Sequence, residues 1–418
     1  MLEFSDAPYR FFEAKPSPFL IRLGRALNHR FVLPGKNHQI TDFRVEGDTE
    51  APRECLENGD RLVFVINHPT HSDPQVVTEV HRQLGIPSCF MAAYDVFLRS
   101  QCAAWCMQKL GNFSIDREGS DRKAMSTAIE TITAGDYALN IFPEGNVYLT
   151  NDRVTPFLDG TAFIALKAQK ALKERSVKII PISLKYSHLT TPRHTITERL
   201  KELGRDSGHT YDSKDPIPAV MGLGAHLVSD FLQSHGYADQ IEVNSESIFE
   251  TLETFASQLV TDVEEALELS PKEGQSLVDR IRSARSKIHQ IRIDDSKEHD
   301  DDAIDALADK AILAFRIFHY VQPYLNEHPT IDRYDETVER IAEDYYSKAM
   351  PRTGPRRVVA KLGSPIDVAE VLASADGNMR ASVASLTAAM EKAVQSGIDE
   401  INRTGDTVGS RLLEDAPE

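Results

Sequence analysis

Two spacings of apolar residues divide the chain. From Phe43 to about Ser187, short apolar runs alternate with stretches whose apolar positions recur every three to four residues. Residues 43–47, 61–67, 88–93, 112–115, 137–142 and 177–184 read as strands, and 74–84, 96–110, 122–134 and 161–172 as helices. Such alternation predicts an α/β fold, a mostly parallel sheet flanked by helices. After Ser187 the strand signals stop. Residues 248–269, 276–291, 304–325 and 335–348 carry long helical periodicities, with an acidic loop over 294–302. A strand at 356–362, a turn at Gly363-Ser-Pro and a helix at 386–401 then restore the earlier style.

The 61–67 run ends abruptly in a polar loop, His68-Pro-Thr-His-Ser-Asp73. Pro69 and Pro74 stop both helix and strand, so the cluster is expected on a rigid loop at a strand end, where α/β proteins place their chemistry. A histidine titrates at about 6.5, which suits general-base work. A carboxylate a few residues on can turn back to fix its tautomer, the base-and-orienter half of a catalytic triad. No activated serine or cysteine accompanies the pair, so the nucleophile is expected to be a substrate hydroxyl. Taken alone, the pattern is also common in structural loops. His71 reads either as a second hydrogen-bonding group or as a solvent-exposed loop residue.

Three further segments carry candidate chemistry. Gly111-Asn-Phe-Ser-Ile-Asp-Arg117 is a short strand leading to a guanidinium fork suited to phosphate. In Ile141-Phe-Pro-Glu-Gly145 a strand ends in a carboxylate, Glu144, able to accept hydrogen bonds from substrate hydroxyls. Ile179-Ile-Pro-Ile-Ser183 is an apolar strand that reads as a wall of the site.

Composition narrows the partners. The net charge of −17 argues against nucleic acid. The acidic excess concentrates in residues 241–310, whereas the first 40 residues are basic. A basic amphipathic segment at 8–30, with Phe19, Leu20, Leu23 and Leu27 near one face, either docks on the following domain or touches an anionic membrane surface. No apolar stretch approaches the roughly 20 residues needed to span a bilayer. Nor does the start read as a secretory signal, so a cytoplasmic chain, peripheral at the membrane at most, is expected. The four cysteines show no C-x-x-C pairing and are expected to be reduced and buried.

Taken in order, His68-x4-Asp73 after a strand, G-x-F-x-I-D-R, F-P-E-G and a short I-P-I strand closely resemble the glycerolipid acyltransferase family, which includes the lysophosphatidate and glycerol-3-phosphate acyltransferases. The resemblance covers about 43–186 and resumes at 356–401. It implies one catalytic domain with a large helical insertion before its last strand. The expected organisation is then an N-terminal segment (1–42), the main part of the domain (43–189), the insertion (190–353), the domain's return (354–402) and a flexible tail (403–418). It implies transfer of an acyl group from acyl-CoA or acyl carrier protein to a lysophospholipid-like acceptor, with no metal and no cofactor. His68 would be the general base and Asp73 its orienter. Arg117 would grip the acceptor's phosphate, with Gly111 shaping that strand's entry, and Glu144 and Gly145 would bind the polar acceptor. The sequence departs from the family at Ser114, at Asn146 and at Asp159, where Pro156-Phe-Leu-Asp159-Gly lacks the family's lysine. Two readings from other classes stay open: a metal-dependent hydrolase using His68, His71 and Asp73, and a non-catalytic lipid-binding protein.

Overall fold

The computed structural model describes residues 9–117, 119, 121–172, 174–209, 215–241, 243, 248–271, 274–293, 300–320 and 323–415. Most of the acidic 294–302 run lies outside them.

Eight strands form one sheet: β1 (Ile40–Gly47), β2 (Arg61–Ile66), β3 (Ser88–Ala93), β4 (Phe113–Ile115), β5 (Ala138–Ile141), β6 (Val177–His188), β7 (Arg356–Leu362) and β8 (Ile366–Asp367). Their order is β1-β7-β6-β2-β5-β3-β4, with β8 also on β6. All pairs are parallel except β6 with β7 and with β8. Central β2 is buried on both faces, as its unbroken apolar run requires. Its Val63 and Val65 face one core, and Leu62, Phe64 and Ile66 the other. Pro181 sits in central β6, where a missing N–H would ordinarily break a ladder. Its carbonyl accepts Gly363 N–H, at the turn between β7 and β8, so its ring lies at a gap in the pairing.

The N-terminal helix is α1 (Pro18–Leu27); α2 (Ala51–Glu57) and α3 (Asp73–Leu84) follow. The single helix expected over 96–110 is two, α4 (Tyr94–Leu98) and α5 (Gln101–Lys109). Ser100 breaks it, extended and capping α5 by accepting Ala103 N–H. Next come α6 (Arg122–Ala134) and α7 (Gly160–Ala171). Cys102 and Cys106 on α5 are exposed, contrary to the expectation of four buried thiols, whereas Cys55 and Cys89 are buried.

The insertion between β6 and β7 comprises α8 (Arg193–Asp206), α9 (Pro216–Ser234), α10 (Ile248–Ala266), α11 (Leu277–Arg292), α12 (Asp301–Phe318), α13 (Tyr324–Glu327) and α14 (Ile331–Tyr346). The chain returns through β7 and closes with α15 (Val368–Ser374) and α16 (Met379–Arg403). Helices α6, α7, α15 and α16 cover one face of the sheet, and α3 helps cover the other. Of the 403–418 stretch, expected to be a flexible tail, the described residues reach 415 and make contacts with the insertion and β6. Leu412 bridges to Thr330, Gly409 N–H donates to the His188 carbonyl, and Leu413 is buried.

Helix α14 is the seam between insertion and sheet. Most of it is buried, including Asp332, Asp335, Glu339, Arg340 and Glu343. Such burial demands partners. His188, at the end of β6, lies 2.8 Å from Asp332 and 3.3 Å from Asp335. Burial alone would lower its pKa, but these two carboxylates raise it from 6.5 to about 9. A histidine with a raised folded pKa stabilises fully below its unfolded value, and that contribution is lost as pH rises through the folded one. The denaturant midpoint is therefore expected to fall between about pH 7 and pH 9.5, with the fall reduced in His188→Gln. A midpoint equally flat in both proteins would contradict this pairing.

Candidate functional site

Strand β2 delivers the His68 loop to the sheet's carboxyl end. Asn67 fixes the exit: its side-chain amide donates to the Leu184 carbonyl (2.9 Å) and its oxygen accepts Leu184 N–H (2.7 Å). Asp73 opens α3, where the helix N-terminus favours a carboxylate. It is fully buried. Its oxygens accept Thr70 N–H (2.9 Å), Thr70 Oγ1–H (3.1 Å), Tyr186 O–H (2.6 Å) and His68 Nδ1–H (2.7 Å). With the proton on Nδ1, the lone pair of His68 is on Nε2, which none of the described residues engages. The ring stacks on Phe142, centroids 4.1 Å apart, and keeps 15% of its side-chain surface exposed. This is a fixed base with an open nitrogen.

Glu144 lies between two backbone segments. It is 2% exposed; Oε1 accepts His68 N–H (2.7 Å) and Oε2 accepts Thr155 N–H (3.0 Å). Burial pushes its pKa up to about 8, although both backbone donors pull it down. It holds the His68 loop against the 154–158 segment. Gly145 turns the chain at φ +79°, where a Cβ would lie 2.9 Å from Leu158.

Arg117 joins the second and third motifs. It donates to Asn146 Oδ1 (2.8 Å) and pairs with Asp95 (3.3 Å) at the exposed rim. Gly111 lies further back, in the turn from α5 into β4 at φ +89°. The two other departures from the motif pattern are also explained. Ser114 Oγ accepts Phe12 N–H (2.8 Å), which seats the N-terminal segment along β4. Asp159 accepts Thr387 O–H of α16 (2.8 Å), so the position holds helix to loop.

Sequence reasoning missed how closely the insertion engages this site. His71 turns away from His68 and bonds Glu343 of α14 at 2.9 Å. Two histidines aimed at different carboxylates do not converge as metal ligands, and no group of three or more candidate ligands occurs among the described residues. His289 of α11 pairs with Asp116 at 2.8 Å. Tyr148, just past the third motif, packs against His319 at 4.3 Å between centroids. Buried Lys185 of β6 pairs with Asp152, which also accepts Arg333 of α14 (2.7 Å). The signal was present as unpartnered charge on an amphipathic helix, but sequence spacing does not tell a buried charge from a solvated one.

Residues 42–185, from β1 to the middle of β6, match the acyltransferase family model. A search of curated proteins finds no match. Among the described residues no helix is long and apolar enough to cross a membrane. The matched segment is about a third of the chain and contains His68, Asp73, Arg117 and Glu144. The family match and the buried His68–Asp73 pair together support an acyltransferase with a His–Asp catalytic mechanism.

Proposed function

We propose that the protein moves a fatty acyl group from acyl-CoA or acyl carrier protein to a hydroxyl of a glycerolipid acceptor, 1-acyl-glycerol-3-phosphate foremost. The observation that carries this reading is the 2.7 Å bond from His68 Nδ1 to Asp73, with Nε2 left open beside a family-matched strand end. Nε2 takes the proton from the acceptor hydroxyl as its oxygen attacks the thioester carbonyl. The tetrahedral intermediate collapses, the C–S bond breaks, and the imidazolium returns the proton to the departing thiolate. Asp73 stays ionised and steadies the imidazolium. Arg117 exchanges exposed Asp95 for the acceptor's phosphate, Gly111 and Gly145 shape the backbone on either side, and Glu144 acts through the loops it holds. A panel crossing coenzyme A and carrier-protein donors with glycerol 3-phosphate, lysophosphatidate and non-phosphorylated alcohols tests the assignment. Preference for a phosphorylated acceptor supports it, and equal use of plain alcohols removes the phosphate from it.

The surface points to a lipid-water boundary. Phe19 (71% exposed), Leu23 and Leu27 of α1, Phe31 (64%) and Val32 after it, Leu98 and Trp105 (52%) are the large apolar side chains left exposed among the described residues, apart from Ile293. Residues 15–17 pair with the end of α5, which makes α1 and α5 neighbours. Arg22, Arg30 and Lys36 are exposed on the same stretch, each worth about 1 kcal/mol near an anionic leaflet. The triple variant Phe19→Ser, Phe31→Ser, Trp105→Ser is expected to lose at least about tenfold in sedimentation with anionic vesicles. It should keep its activity on a soluble short-chain donor. Unchanged sedimentation would place the membrane contact elsewhere.

A further inference from the structure

The His–Asp chemistry leaves one cavity unused, of about 40 Å³, between the 147–149 loop and the insertion. At about 10–15 Å³ for each water-sized probe, it has room for some three waters or one tetrahedral anion. Its floor is Tyr148 and Leu149, and its far wall carries Arg316, His319 and Arg340. Three nitrogens on that wall are buried without a hydrogen-bond partner: Arg316 Nε, Arg340 Nε and His319 Nε2. The two arginine groups can only donate, so what this wall lacks is an acceptor. Arg340 is 7% exposed; one of its nitrogens donates to the His319 carbonyl (3.0 Å), and its guanidinium lies over the Tyr320 ring. Two carboxylates also line the cavity, and both have other partners. Glu343 accepts His71 and Met350 N–H, while Asp344 accepts Tyr320 O–H and lies 3.7 Å from Arg316 Nε itself, an ion pair too long for a hydrogen bond. The floor is strained. Leu149 sits at φ +51°, a left-handed conformation that the surrounding structure must enforce.

The cavity adjoins the reacting loop. Tyr148 N–H donates to the His68 carbonyl (3.4 Å), and Glu343 holds His71 (2.9 Å). We propose that this cavity receives a phosphate monoester of one of the two substrates, held by the guanidinium groups of Arg316 and Arg340. The identity of the ligand as a substrate group rests on the acyltransferase reading above.

Calorimetry on the full chain tests the site without requiring turnover. Glycerol 3-phosphate, inorganic phosphate, coenzyme A and 3′-dephospho-coenzyme A are titrated into wild type, Arg340→Gln and Arg316→Gln, with glycerol as the uncharged control. At least a tenfold loss of affinity for a phosphate monoester in both variants, with glycerol unaffected, is the expected result. If glycerol 3-phosphate weakens, the acceptor's phosphate sits here rather than at Arg117. If coenzyme A weakens but its dephospho form does not, the ligand is the donor's 3′-phosphate. Arg340→Lys keeps the charge but loses the fork, and serves if Arg340→Gln does not fold. Unchanged affinities in folded variants overturn the proposal and leave water as the occupant. Wild-type affinity that the variants lose, in a protein with no acyl transfer, removes the acyltransferase reading but keeps the site. Transfer with unaltered affinities does the reverse.

Discussion

Asp73→Asn is expected to lower kcat for acyl transfer by roughly ten-thousand-fold, with KM for both substrates changed little. The carboxylate is an acceptor for four donors, from His68, from Thr70 twice and from Tyr186. An amide can present only one oxygen. Placed toward Thr70 Oγ1–H and Tyr186 O–H, that oxygen leaves the NH2 facing both His68 and the Thr70 N–H, and the imidazole must move its proton to Nε2. The base is then gone although every atom is nearly in place. The buried mismatch should also cost about 1–3 kcal/mol of stability, so unfolding must be measured beside the kinetics. A kcat within tenfold of wild type would show that His68 does not need this orienter.

Asp152→Ala is expected to be the most destabilising single change at the seam, by about 3–5 kcal/mol. It strands the buried Lys185 ammonium and takes away the partner of Arg333. The pair's mutual effect is plain in its ionisation. Burial opposes both charges, yet Lys185 is raised and Asp152 lowered. A loss of that size is a large share of ordinary stability. The double variant Asp152→Ala, Lys185→Met removes the stranded charge and should recover much of it. Equal denaturation midpoints for wild type and the single variant would mean that the seam tolerates an open charge.

These two residues also mark how far the sequence could be read. Asp73 lies five positions from His68, and the prolines on either side confine the loop, so their meeting was legible. So were most strands of the 43–189 region, because a strand buried on both faces must be apolar throughout. Asp152, Asp332 and Glu343 were not legible. Their partners Lys185, His188 and His71 come from distant segments, and an acid on a helix reads as solvated until the opposing surface is known. The bonds that Glu144 makes were not legible either: the two backbone N–H groups it accepts leave no trace in residue identity. The 404–415 segment looked frayed because one apolar residue, Leu413, and a few backbone bonds suffice to dock it.

The central claim is that His68 Nε2 activates an acceptor hydroxyl toward a thioester. The direct measurement is thiol release from long-chain acyl-CoA, with ester product quantified in parallel, with and without lysophosphatidate, in wild type and in His68→Gln. Acceptor-dependent release matched by an equal amount of ester is expected in wild type, and a fall of about 100-fold to 10,000-fold in the variant. Release that ignores the acceptor, or that persists at equal rate in folded His68→Gln, would contradict it.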